Sequence, residues 1–269
     1  MLLLSLIIVT YSTLIYLYMH LKTHMRTKLL LIDNALVILV ASLVQIVIPI
    51  DVFYKYLLTL MLIPIFVFIN IHIRFWRSPK RNISKDITDI VSPADGRIIY
   101  INRLDEEGKL ESNKRGTVSE LSEIAKTDLS PKPCWQIGIN MTPFDVHKNC
   151  SPIEGTIIFS KHFDGKFLSL KNQRAVSDNE RHTYVIENDR VRVAMVQIAS
   201  KRVRRIDTYV KEGDSVKKGS WLGMIRFGSQ VDIFIPIECN LLVVVGQQLY
   251  AGSVVIAKIP NIHGDGFTK

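Results

Sequence analysis

A chain of 269 residues has room for one globular domain and one extra module. Its formal charge of +9 comes without a helix-turn-helix, zinc or aromatic-rich reader pattern, which argues against nucleic acid and for anionic lipid headgroups as its partner. Three isolated cysteines, Cys134, Cys150 and Cys239, exclude a disulfide framework and a cysteine-rich zinc site; they predict buried, unreactive thiols in a reducing compartment.

Three apolar runs open the chain, at 2–19, 29–50 and 52–73. Each is close to the ~20 residues that a helix needs to cross a bilayer. The second carries Asp33 and Asn34 near its start, a polar pair expected at the headgroup level. Pro49-Ile-Asp51 reads as a tight turn between the second and third runs. The first run lacks a preceding basic region and a small-residue cleavage site, so it is not read as a signal peptide. Basic residues flank the runs unevenly. Lys22, Arg26 and Lys28 follow the first and Arg74, Arg77, Lys80 and Arg81 follow the third, whereas Lys55 stands alone with Asp51 in between. The positive-inside rule then puts the remainder of the chain on the cytoplasmic side of the cell membrane, whether the first run spans or lies on the surface. The expected division is an anchor and polar linker over 1–80 and a second domain over 81–269.

From Ile90 the chain changes character. Short β-branched runs at 96–101, 135–140, 155–159, 183–187, 191–198, 207–210, 230–235 and 241–245 are bounded by Gly, Pro, Asn or Asp. Many short strands with turn signals between them predict a mainly β (α+β) barrel or sandwich rather than βαβ units. Helix is expected at 114–126 and around 171–177, and the charged stretch 103–133 reads as a mobile insertion. Lys201-Arg-Val-Arg-Arg205 is the densest basic cluster outside the anchor, a solvated face or a lipid-facing patch. The segment 210–223 has the turn–strand rhythm of lipoyl- and biotinyl-type domains, and 245–256 repeats it loosely. Glycines at the corners and β-branched residues between them suit a flattened, lipoyl-like barrel-sandwich hybrid. The segment has no modifiable lysine hairpin, so a carrier role is not expected.

The chemistry concentrates on a few residues. Gly228 and Ser229 interrupt an apolar strand pattern, Ile225 to Pro236. Taken alone, such a pair is an ordinary bulge, and a serine hydroxyl without a base is a weak nucleophile. Gly228, however, leaves the backbone free to distort, so that Ser229 Oγ can attack the Gly228 carbonyl and exchange the amide for an ester. Asp95, in an Asp-Gly corner, and His147 are by themselves a turn residue and a satisfied imidazole. Together with Ser229 they make a base-activated nucleophile, with His147 taking the proton and Asp95 orienting the ring.

Several motifs in order carry a resemblance over residues 90–258. They are Ser-Pro-Ala-Asp-Gly at 92–96, Phe-Asp-Val-His-Lys-Asn at 144–149, Pro-Ile-Glu-Gly at 152–155, Gly-Lys-Phe-Leu at 165–168, Asp-Asn-Glu-Arg at 178–181, Val-Gln-Ile-Ala at 196–199, Arg204-Arg205 and Arg-Phe-Gly-Ser at 226–229. The chain resembles the phosphatidylserine decarboxylase proenzymes, in their short membrane-anchored (type A) branch. Phe227 and Gln230 depart from the Leu-Gly-Ser-Thr of the longer branch, and Gln230 also stands where the short branch often has Arg.

The resemblance implies self-cleavage between Gly228 and Ser229, with Ser229 becoming a covalent pyruvoyl cofactor at the start of the smaller chain. The two chains would stay together as a heterodimer, and a homodimer of these is compatible with it. It further implies that the ketone forms a Schiff base with the amine of a membrane phospholipid, phosphatidylserine. The conjugated carbonyl takes up electrons as CO₂ leaves, and His147 donates the proton that replaces it. No metal or diffusible cofactor is expected. The competing reading is a membrane-tethered adaptor with a lipoyl-like hybrid barrel and no catalysis. That class splits its lipoyl halves with a long helical hairpin, which 210–256 does not contain. A phosphate loop is excluded at 213–220 because its lysines precede the second glycine.

Overall fold

The computed structural model describes residues 2–23, 27–110, 121–166, 168–170, 174–200, 205–226 and 229–260. It divides into two compact units: Met1–Arg77 with Thr142–Phe144, and Ser78–Met141 with Asp145–Lys269.

The first unit holds three helices, α1 (Leu2–Thr23), α2 (Thr27–Val47) and α3 (Val52–Trp76), each long and apolar enough to cross a membrane. The expected turn at 49–51 separates α2 from α3. Ile8 and Tyr16 of α1, Val37 and Ala41 of α2, and Ile63 and Val67 of α3 are buried against one another, while Leu14, Leu43 and Phe68 face outward. Without water to drive association, polar side chains hold such helices together. Ser12 Oγ donates to Asn34 Oδ1 at 2.6 Å, Asn34 Nδ2 to Thr13 Oγ1 at 3.0 Å, and Gln45 Nε2 to Thr59 Oγ1 at 2.9 Å. Asp33 is fully buried and ion-paired with Arg74 of α3. Asp33 and Asn34 are buried between the helices, where the charge and the amide find their partners on neighbouring helices.

The second unit is mainly β, an α+β domain of antiparallel strands. In order these are β1 (Asp89–Val91), β2 (Gly96–Leu104), the short α4 (Leu121–Ala125), β3 (Cys134–Met141), β4 (Lys148–Cys150), β5 (Gly155–Phe163), α5 (Ala175–Asp178), β6 (Arg181–Glu187), β7 (Arg192–Ala199), β8 (Ile206–Thr208), β9 (Ser215–Val216), β10 (Trp221–Ile225), β11 (Ser229–Pro236), β12 (Asn240–Leu241), β13 (Gln248–Leu249) and β14 (Val255–Lys258). The expected strand at 241–245 is pared to β12. The expected helices are found only as α4 and α5, with 111–120 and 171–173 outside the described residues.

An eight-stranded sheet runs β13-β2-β3-β11-β7-β6-β5-β9, and two three-stranded sheets run β1-β14-β12 and β4-β10-β8. The large sheet reads the same from both edges. Each edge strand, β13 or β9, comes from one of the two lipoyl-like repeats. Each lies against a strand that opens on a glycine, Gly96 of β2 or Gly155 of β5, and β11 and β7 meet at the centre. The repeats use the same device at their corners: Gly213 and Gly246 have φ of +90° and +88°, a region L side chains avoid. A Cβ at Gly96 would lie 2.4 Å from the Asn140 carbonyl oxygen, so this strand approach needs glycine.

The main core draws on all three sheets, from Ile98, Ile137 and Val231 to Leu222, Ile225 and Ile256. A second cluster covers the other face of the large sheet, where Leu121, Ile124 and Ala125 of α4 pack on Val185, Val196 and Phe234. Within the charged insertion, expected to be mobile, α4 is thus anchored in a core. Its few apolar residues fall at helical i, i+3, i+4 spacing and act together. Buried Arg181 reinforces this contact by donating to the carbonyls of Glu123, Ile124 and Val176 at 3.2, 3.0 and 2.8 Å. The three cysteines are buried and unpaired, and burial pushes the Cys134 and Cys150 thiols up to about 12.

On the main-core face of β6, His182 is buried against Tyr184, with Ser160 Oγ 3.0 Å from its Nε2. Burial, and then the neighbouring His162, lower its pKa from 6.5 to about 4. The unfolded chain binds the proton first, so this stabilising contribution is complete above pH 6.5 and is lost as pH falls towards 4. The gap corresponds to about 3 kcal/mol. Chemical denaturation at pH 7 and pH 4.5 is expected to show a larger loss for the native chain than for His182→Gln; equal losses would remove His182 as the cause.

Candidate active site

Of the passages between the large sheet and the β4-β10-β8 sheet, two are neighbours. The first leaves β3 at Met141 and enters β4 at Lys148. The second leaves β10 at Ile225 and enters β11 at Ser229. Lys148 pairs with Met224, and Ile225 N–H donates to the His147 carbonyl at 3.2 Å. Ser229 pairs with Met141 on one side and Ala199 on the other. Ser229 therefore opens a central strand flanked on both sides, directly after the layer change. Phe227 and Gly228, with the expected scissile carbonyl, lie outside the described residues.

His147 ends the first passage and is fully buried. Its Nδ1 lies 2.9 Å from the Asp145 carbonyl oxygen. A carbonyl only accepts, so Nδ1 carries the proton of the neutral ring and Nε2 carries the lone pair. Asp145 is buried as well, with Oδ1 3.4 Å from Gln248 Nε2.

Asp95 is also buried, in the turn before β2. Both its oxygens accept from Arg81 Nη2 at 2.8 Å, Oδ1 accepts from Ala251 N–H at 2.8 Å, and Oδ2 lies 3.5 Å from Val146 N. The carboxylate thus reaches the main chain one residue before His147. Burial raises its pKa, and Arg81 and the Ala251 N–H offset part of that. The sequence reading spent Arg81 on membrane-flanking charge and missed it here; its only signal was a buried acid needing a cation. Removing one partner of a buried pair costs about 3–5 kcal/mol. Arg81→Met is therefore expected to lower the urea midpoint strongly at pH 7 and less at pH 5, where Asp95 can take up a proton. The same deficit at both values would mean lost packing, such as the contact with the Tyr250 ring at 5.7 Å.

Two further polar groups flank Ser229. On the main-core face of β7, Gln197 Nε2 donates to Asn149 Oδ1 at 2.7 Å, tying the large sheet to β4. On the other face, Gln230 Nε2 donates to Tyr100 Oη at 2.6 Å and Asp232 Oδ1 at 2.7 Å, and Tyr100 and Gln136 both reach Asp232 Oδ2 at 2.6 Å. Burial raises the Asp232 carboxyl, with these hydrogen bonds acting against it. Gln230, the residue that departs from the resemblance, is a neutral tie that holds the start of β11 from behind. At 201–205, the basic cluster lies outside the described residues except for Arg205, which pairs with Asp207 at 2.8 Å.

Fold and site together define an α+β domain in which a buried histidine and a strand-opening serine end neighbouring passages, in a chain with three helices long and apolar enough to cross a membrane. Residues 68–257 match the family described as phosphatidylserine decarboxylase. A protein of Methanocaldococcus jannaschii, provisionally named an archaetidylserine decarboxylase proenzyme, is 39% identical over 183 residues, covering 68% of this chain and 87% of its own length. The phosphatidylserine decarboxylase proenzymes of Novosphingobium aromaticivorans and Carboxydothermus hydrogenoformans are 37% and 36% identical over 196 and 186 residues, covering 71% and 69% of this chain and 75% and 78% of theirs. The chain belongs to the phosphatidylserine decarboxylase family.

Proposed function

We propose that this chain is a proenzyme that cuts itself between Gly228 and Ser229 and then decarboxylates phosphatidylserine to phosphatidylethanolamine. The observation that carries this reading is the pair of adjacent passages, with His147 at the end of one and Ser229 at the end of the other. His147 Nε2, the lone-pair nitrogen, takes the Ser229 Oγ proton as Oγ attacks the Gly228 carbonyl, and returns it to the departing Ser229 nitrogen. The amide becomes an ester. Loss of the Ser229 Cα proton then expels the Gly228 carboxylate, and water converts the dehydroalanyl residue to a pyruvoyl group with release of ammonia. The residues present fit such a group: β11 holds the new terminus on both sides, and a buried base stands at the neighbouring passage.

Once formed, the pyruvoyl group supplies a conjugated carbonyl that accepts the electron pair released with CO₂. His147, protonated at Nε2, delivers the proton to the carbon that CO₂ leaves. Asp95 acts through the Val146 N–H and Arg81 to fix the main chain that carries His147. After the cut, β11, β13 and β14 remain paired with β3, β7, β2 and β1 of the larger fragment, which favours a stable heterodimer. The apolar helices keep the enzyme where its substrate is, and the basic residues after α3 favour a cytoplasmic site.

Gel electrophoresis and the intact mass of fragment 229–269 test the first step: a pyruvoyl-capped mass is expected, and an unmodified serine at its start would leave only hydrolysis. Release of CO₂ from serine-headgroup lipid vesicles tests the second. Because the Methanocaldococcus jannaschii relative bears the archaetidylserine name, ether-linked and diacyl lipids belong in the same assay.

A further inference from the structure

The two lipoyl-like segments turn their corners in the same way. In the first, Gly213 N–H donates to the Ile157 carbonyl at 2.8 Å and Asp214 N–H to the Lys211 carbonyl at 3.2 Å, while Lys211 N–H donates to Asp214 Oδ2 at 2.9 Å. In the second, Gly246 N–H donates to the Ile98 carbonyl at 2.8 Å and Gln247 N–H to the Val244 carbonyl at 3.2 Å, while Val244 N–H donates to Gln247 Oε1 at 3.1 Å. Both glycines have positive φ, and a Cβ on either would meet nothing within 4 Å among the described residues. Both tips are exposed and project from the domain.

Their side chains differ. The first tip is Lys211-Glu212, as water favours. The second is Val244-Val245, both exposed, with exposed Leu242 just before them. The fold does not require these valines, because the same turn forms with lysine and glutamate in their places. Single exposed aliphatic residues need no explanation, but here three fall within four residues at a tip whose counterpart is charged. A stable protein interface buries ~800 Å² per partner, several times what three such side chains offer. A bilayer sets no such minimum for a domain already tethered to it, since the second contact is then effectively intramolecular. The tether is at hand. Helix α3 is long and apolar enough to cross a membrane, and residues 77–88, which join it to β1, span at most about 40 Å. Strand β1 pairs with β14, and β14 with β12, which runs directly into the apolar tip. The charged tip follows β8, in another sheet.

We infer that Leu242, Val244 and Val245 insert into the interfacial layer of the bilayer and form a second anchor, which fixes the end of the β domain that meets lipid. Because this needs the helices to lie in that bilayer, a helix position is probed alongside. The full-length chain is reconstituted in phosphatidylcholine vesicles containing nitroxide-bearing lipid, with a fluorophore on one added cysteine; the native thiols are buried and do not compete. A label at Val245→Cys is expected to lose roughly half its emission, as suits a group ~5–10 Å deep at the headgroup boundary. A label at Glu212→Cys, the same place in the charged turn, is expected to lose almost none, and one at Phe68→Cys, on the outward face of α3, to be quenched. Adding Val244→Lys, which copies the first turn, is expected to remove most of the loss at 245 and leave the fold intact. Quenching at 68 without quenching at 245, or equal quenching at 245 and 212, would overturn this second anchor alone. No quenching at 68 or 245 would overturn the membrane placement of the helices together with it. Emission at 245 that follows the density of labelled chains and ignores nitroxide lipid would assign the tip to a second copy of the chain and overturn the anchor as well.

Discussion

Ser229→Ala is expected to accumulate as one uncut polypeptide, with CO₂ release from phosphatidylserine reduced roughly 10⁴-fold or more, the scale seen when a nucleophile is deleted. The reasoning is stoichiometric. Without Oγ there is no ester, without the ester there is no elimination, and without elimination no keto group arises to accept electrons. The three thiols do not substitute, since they are buried and burial holds them far from the thiolate form. The alanine costs the fold little, because the ladder around position 229 is made by main-chain groups pairing with Met141 and Ala199. Denaturing gels, intact mass and stability of the uncut form are read together. A folded Ser229→Ala chain that is cut at 228, or that decarboxylates at the native rate, would end the proposed maturation.

What the sequence made legible divides by physical origin. Period-two apolar runs and turn residues located most strands from β2 to β11, because strand alternation and glycine corners are local properties. The two segments read as lipoyl-like repeats, 210–223 and 245–256, contain the edge strands β9 and β13, a placement that the rhythm alone did not give. The three long apolar helices were legible from hydropathy alone. Partners across space were not. Nothing near Asp33 announced its counter-charge, because Arg74 lies far along the chain. Arg81 looked like one more flanking cation because its acid, Asp95, is buried only after β2 and β13 pair. In the same way 121–125 read as part of a charged, mobile insertion because its apolar residues find their partners only on β6, β7 and β11. Ser229, His147 and Asp95 were named from the sequence as the candidate site; the fold adds that Asp95 reaches Val146 N–H and that the His147 carbonyl meets Ile225. The Asp145 carbonyl that fixes the tautomer has no side-chain signature, so no residue pattern could have announced it.

That carbonyl makes the second large prediction specific. His147→Ala is expected to slow self-cleavage by about 10²- to 10⁴-fold, the usual worth of a positioned general base. The point at which it stalls is diagnostic. If His147 takes the Oγ proton, the variant stops as an amide and contains no ester, so hydroxylamine, which cleaves esters, leaves it whole. If His147 served only the later elimination, an ester would build up and hydroxylamine would cut the chain at 228. The first outcome is expected. Asp95→Asn should fall between His147→Ala and the native chain, because it loses the ion pair with Arg81 yet keeps an acceptor for the Ala251 and Val146 main chain. A variant that matures at the native rate without His147 would show that another group performs the proton transfer, whatever the ring's position.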